Sequence, residues 1–145
     1  MTYSTVAFLL IAVLFGSAIS IQILMFPRLI ARIADRSTVT RVANEVLKGH
    51  HTLALVFLIV AAILFLLAGG LLPAAVTLSL LFLNLYQRLW LFTKLHIVKQ
   101  PIGVQDLIQP DNTLREESNR LQTRLYLLFR IHLILLFVDL LITAF

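Results

Sequence analysis

The stretch "LLFRIHLILLFVDLLITAF", residues 127–145, sets three ionisable side chains, Arg130, His132 and Asp139, in a run that is otherwise almost wholly apolar. A helix needs about 20 such residues to cross the ~30 Å hydrocarbon layer of a bilayer, and this run supplies them. The rest of the chain has the same character. Hydrophobic residues make up 60% of the 145 and mean hydropathy is +0.97, whereas a soluble domain is about 45–50% apolar. A compact soluble core of this length cannot hide so much apolar surface, so the medium around it is lipid. The three ionisable groups therefore have to be explained inside a membrane.

Three further runs qualify, giving spans at roughly 4–26, 52–72, 74–96 and 123–145. They do not alternate as barrel strands would, so they read as helices. The start of the chain lacks the basic segment of a signal peptide and reads as a retained first span. Spans two and three are joined by the uncharged "GGLLP", ending at Pro73, which forces a hairpin. The charges sit in the other two loops. Arg28, Arg32, Arg36, Arg41 and Lys48 lie in or near the first, and Lys94, Lys99, Arg115, Arg120 and Arg124 flank the second. Lysine and arginine collect on the cytoplasmic side, so both polar loops are expected there and both termini outside. The expectation is an all-α, integral membrane, antiparallel four-helix bundle, N-out and C-out. It forms one multi-pass domain over 1–145 in a bacterial inner membrane or equivalent cell membrane.

In the first loop, Val39, Val42, Ala43, Val46 and Leu47 follow the helical period, with Arg41, Asn44, Glu45 and Lys48 opposite. This predicts a helix that lies on the membrane surface or runs straight into span two. The second loop, "QPIGVQDLIQPDN", holds two prolines and a glycine and is not expected to be one helix. "TLRE" at Thr113 reads as a capping box that opens the last helix. Ala12, Gly16 and Ser20 in span one, and Ala54, Ala61 and Ala68 in span two, form small-residue stripes. Such stripes read as packing seams, or as the face of a homo-oligomer.

Arg130 and His132 point about 200° apart on a helix and cannot share a face. Arginine reaches back to headgroups from about 9 Å below them, whereas histidine is too short. His132 and Asp139, seven apart, do share a face, so both are expected to turn inward. In span three Asn84 and Arg88 share a face, and Asn84 is a candidate partner for Asp139. Ser17, Ser20 and Gln22 lie at comparable depth in span one. Candidate ligand-binding residues are therefore Asn84, Arg88, His132, Asp139, Gln22 and Ser20. They would line a cationic intramembrane pocket for a membrane lipid or an anionic small molecule. "GHH" at Gly49–His50–His51 reads as interfacial, since adjacent helical histidines face different directions. With no cysteine, thiolate metal sites and thiol catalysis are excluded. No catalytic motif is present, so the function class leans to non-enzymatic, with no metal site, cofactor or nucleic-acid partner expected.

"FRIHLILLFVDLL" resembles the last helix of a family of small four-helix membrane proteins of unassigned function, which includes the mammalian transmembrane protein linked to cisplatin resistance. Phe129 and His132 match its F-x-x-H, and Asp139 stands where the family prefers Asn. "FGSAISIQILMFPRLIARI" resembles its first helix, and Asn84 fits its third. The family is distantly similar to copper-resistance membrane domains and a haem-pathway oxidase, which implies haem or copper handling as an alternative. Glutathione-dependent membrane transferases have similar length and topology. Here, however, Asn44 and Glu45 follow Arg41 as neighbours, and the transferase spacing is not met.

Overall fold

The computed structural model describes residues 2–32, 36–105 and 112–144. All of its regular structure is helical. α1 (Tyr3–Ile19) passes through a π-helical segment, Ser20–Met25, into α2 (Phe26–Arg32). α3 (Arg36–Leu67) is one uninterrupted helix. α4 (Leu71–Leu85) passes through a second π-helical segment, Tyr86–Leu91, into α5 (Phe92–Gln105), and α6 (Asn112–Ala144) closes the chain. Four stretches among the described residues are long and apolar enough to cross a membrane: Tyr3–Arg28, Thr38–Leu67, Leu71–Val98 and Thr113–Ala144.

Local chemistry sets the ends. The Thr2 hydroxyl accepts from the Thr5 N–H at 3.4 Å and caps α1. α3 ends in a Schellman turn. Gly69 has φ +76°, its N–H donates to the Leu66 carbonyl at 3.0 Å, and the Gly70 N–H donates to the Phe65 carbonyl at 2.9 Å. Pro73 falls in the first turn of α4, where its missing N–H would have had no helical partner. The chain turns back so tightly that α4 lies along α3.

α1 packs on α3 and α6, α4 packs on α3 and α6, and α5 packs on α6, so the four rods close a ring around one core. Ala7, Ile11, Leu14 and Ala18 from the first rod are fully buried there. They meet Leu47, Ala54, Leu58, Ala61 and Phe65 from the second, Leu80 and Leu91 from the third, and Leu125, Phe129 and Leu136 from the last. Outside the ring the helices present leucine, isoleucine, valine and phenylalanine, including Val56, Ile63, Phe82, Ile134 and Leu141. A water-soluble monomer does not display an apolar belt of that extent.

Several local expectations change. The first-loop helix is the N-terminal part of α3 and runs straight into the second span, with Ala43 and Leu47 turned to the core. The third rod continues as helix through Pro101 and Gly103 to Gln105. The remainder of that loop, 106–111, lies outside the described residues. In span one the buried stripe is not Ala12, Gly16 and Ser20. A Cβ at Gly16 would meet nothing within 4 Å, so no neighbouring helix approaches closely there. In span two Ala54 and Ala61 are buried and Ala68 is exposed at the turn.

Candidate functional site

α3 carries a buried stripe spaced by threes and fours: Ala43, Leu47, Ala54, Leu58, Ala61, Phe65. His50 and His51 occupy the turn between Leu47 and Ala54. Adjacent helical residues diverge by about 100°, and the buried face here is wide enough to take both, which are 5% and 0% exposed. His132 of α6 enters the same space, also fully buried. The three imidazoles form a nearly equilateral triangle. Ring centres are 5.9 Å apart for His50–His51, 6.1 Å for His50–His132 and 6.0 Å for His51–His132. Phe129 packs edge-on against His50 and His51, and Phe92 against His51.

Two of the rings are tethered from outside the triangle. The Ser17 hydroxyl lies 2.8 Å from the Leu14 carbonyl and 3.2 Å from His50 Nδ1. Its one proton goes to the carbonyl, so His50 Nδ1–H donates to Ser17 and leaves Nε2 as a bare acceptor. The Asn84 side-chain amide is 3.1 Å from His51 Nδ1. Beyond these tethers the polar atoms have no partner in the protein. His50 Nε2, His51 Nε2, both nitrogens of His132, Asn84 Oδ1 and both amide atoms of Gln87 are buried and unbonded. Buried polar groups are normally satisfied, so such a concentration marks a place for something other than protein.

One residue along from His51, Thr52 accepts a hydrogen bond from Arg88 at 3.0 Å. Arg88 and Gln87 both belong to the second π-helical segment, which widens the turn just where Asn84, Gln87 and Leu91 face inward; π-turns of this kind occur often at functional sites. Arg88 also lines a cavity of about 1750 Å³ that opens at the loop-bearing end of the rods. Among the described residues its wall carries Arg41, Lys48, Arg88 and Arg115 and the carboxylate of Glu45, with apolar surface from Leu89, Phe92, Leu95 and Tyr126. On the outer face of the third rod, Tyr86 stacks on Trp90 and Lys94 lies 5.2 Å above the Trp90 ring, an aromatic–cation ladder typical of a membrane interface.

The six candidates drawn from the sequence separate. Asn84 and His132 join the histidine cluster, and Arg88 borders the open cavity. Asp139 is fully buried further along α6, where the Thr77 hydroxyl donates to it at 2.8 Å; Asn84 is engaged by His51 instead. Ser20 is exposed, its hydroxyl donating to the Gly16 carbonyl at 2.8 Å, and Gln22 is half-buried in the first π-helical segment. Neither lines the cavity. Arg130 is exposed on the opposite side of α6 from His132. His50 and His51 were read as interfacial, yet they are central. The signal for them was their position inside the three-four stripe of α3. Comparison with known proteins adds no relative: no family model, no curated protein and no solved structure matches this chain.

Proposed function

We propose that this chain is an integral membrane protein of four antiparallel spans, with its polar loops in the cytoplasm. In the open cavity at the loop end it binds an amphipathic anion: a lipid phosphate, or a small molecule with a carboxylate or phosphate head on an apolar body. The observation that carries this reading is the lining among the described residues, where Arg41, Lys48 and Arg88 outnumber the one described acid, Glu45, beside apolar Leu89, Phe92, Leu95 and Tyr126. A cationic recess between low-dielectric walls concentrates anions, and arginine holds phosphate and carboxylate oxygens through paired N–H donors. The Arg88 guanidinium donates to Thr52 and lies on a lining that also carries the apolar Leu89 and Phe92, so head and apolar body would meet beside it.

The test is retention of radiolabelled phosphatidic acid and of a labelled long-chain fatty acid by protein reconstituted in neutral-lipid nanodiscs. Arg88→Ala and Lys48→Ala should each lower retention several-fold, and raised salt should lower it further. Arg130→Ala and His132→Ala should leave it unchanged, because neither residue lines the cavity. Equal retention by all four variants removes the reading. The two labels distinguish a lipid headgroup from a soluble amphiphile.

A further inference from the structure

We propose that His50, His51 and His132 form a three-imidazole site for a first-row transition-metal ion inside the bundle. The inference is independent of the anion cavity and rests on other atoms. Three buried rings in edge-to-face contact, with centres 5.9–6.1 Å apart, are packed too closely for an organic ligand, and a single ion held by their edges is the largest guest they could take. Neutral imidazole is a favoured ligand of zinc, copper, nickel and iron.

The outer tethers have the form that metal-bound histidines need. A ligating ring is oriented by a hydrogen bond from its other nitrogen. Ser17 does this for His50, fixing the proton on Nδ1 and leaving Nε2 bare. Asn84 stands at the same position on His51. With the near-isosteric amide turned so that Oδ1 faces the ring, His51 Nδ1–H donates to it and Nε2 is bare there too. The turn exchanges which amide atom is unbonded, Nδ2 in place of Oδ1. His132 keeps both nitrogens unbonded, so either is available.

The side chains do not yet stand at coordinating positions: among the described residues no three such groups are placed to share an ion. The shortfall is small. Nitrogens at about 2.0–2.1 Å from a common ion put ring centres roughly 5.2–5.5 Å apart. Each ring therefore moves inward by a few tenths of an ångström and turns about its Cβ–Cγ bond. The trio contains no carboxylate, since Asp139 lies about two turns along α6 and is bonded to Thr77. The ion's charge is therefore uncompensated by its ligands. A monovalent ion costs less to bury than a divalent one, which favours Cu(I) over Zn(II).

The experiment uses the full chain in a non-chelating detergent, loaded separately with Cu(I), Zn(II) and Co(II) under competition from a chelator of known affinity. One ion should bind per chain, and Co(II) should give the intense visible bands of a low-coordinate site. His132→Ala and His50→Ala should weaken binding by at least a hundredfold, and Ser17→Ala about tenfold. His96→Ala, at the open cavity, should have no effect. Helix content and melting temperature are followed throughout. If His132→Ala fails to fold, His132→Gln and Ser17→Ala, which keep the packing, decide the matter. Absence of a bound ion from the folded protein overturns the proposal, because the cluster is then a hydrated one. Binding unchanged in Ser17→Ala and in the histidine variants overturns it equally. Anion retention measured on the same His132→Ala sample keeps the two sites separate.

Discussion

Thr77 has one hydroxyl proton and two acceptors within reach, the Pro73 carbonyl and the Asp139 carboxyl, both at 2.8 Å. It cannot serve both at once, and Asp139 Oδ1 has no partner at all. An amide at position 139 would end the competition for that proton. Its N–H would donate to the Thr77 oxygen while Thr77 donates to Pro73. Asp139→Asn should therefore be neutral or stabilising. Asp139→Leu should destabilise by about 1–3 kcal/mol, since the leucine neither accepts nor matches the shape of the site. Denaturation in detergent checks both, and a large loss for Asn would mean that the carboxylate is needed for something other than this bond. At the same scale, the inward turn of His132 and Asp139 and the outward turn of Arg130 follow from the angular spacing along α6. The partner of Asp139 did not follow. Thr77 is a small polar residue in a run of apolar ones, and nothing in its neighbourhood distinguishes it from a threonine that bonds only to its own helix.

Glycines at two positions in the rods carry opposite requirements. Gly69 supplies the positive φ of the turn that returns α4 along α3. Gly16 lies within α1, and a methyl group there would meet nothing. Gly69→Ala should cost about 1–2 kcal/mol. Gly16→Ala should be harmless or add up to about 1 kcal/mol through helix propensity. The melting temperature should fall for Gly69→Ala and hold or rise for Gly16→Ala; a fall for Gly16→Ala would reveal a close helix contact at that surface. The Gly69 hairpin was legible because an uncharged five-residue link between two long apolar runs admits little else. The π-helical segments were not. They depend on whether a carbonyl bonds to the fourth or the fifth residue beyond it, a choice made by packing of the whole rod, and "LYQRLW" carries no local mark of it.

Across the molecule, charge and packing divide along the rods. The Lys and Arg residues cluster in the two polar loops and in the helix ends beside them, and the hairpin at Gly69 and Gly70 is uncharged. A reporter fused after Phe145 should therefore be exposed outside the cell and one inserted near Gln105 should be cytoplasmic; the reverse pattern would invert every depth assigned here. The four rods were legible from length and apolarity alone. The histidine cluster was only half legible, because His132 was read from its own helix, while His50 and His51 gain their meaning from a helix that comes much later in the chain.

That distance matters during biosynthesis. Ribosomes deliver the chain N-terminus first, so the second and third rods arrive with the pairs His51–Asn84 and Thr52–Arg88 able to form. His132 and Asp139 come only with α6. Until the final helix docks, two imidazoles and the Thr77 hydroxyl face an open groove. A nascent chain stalled before α6 would thus display polar groups within the bilayer, where an unpaired polar group costs about 2–7 kcal/mol.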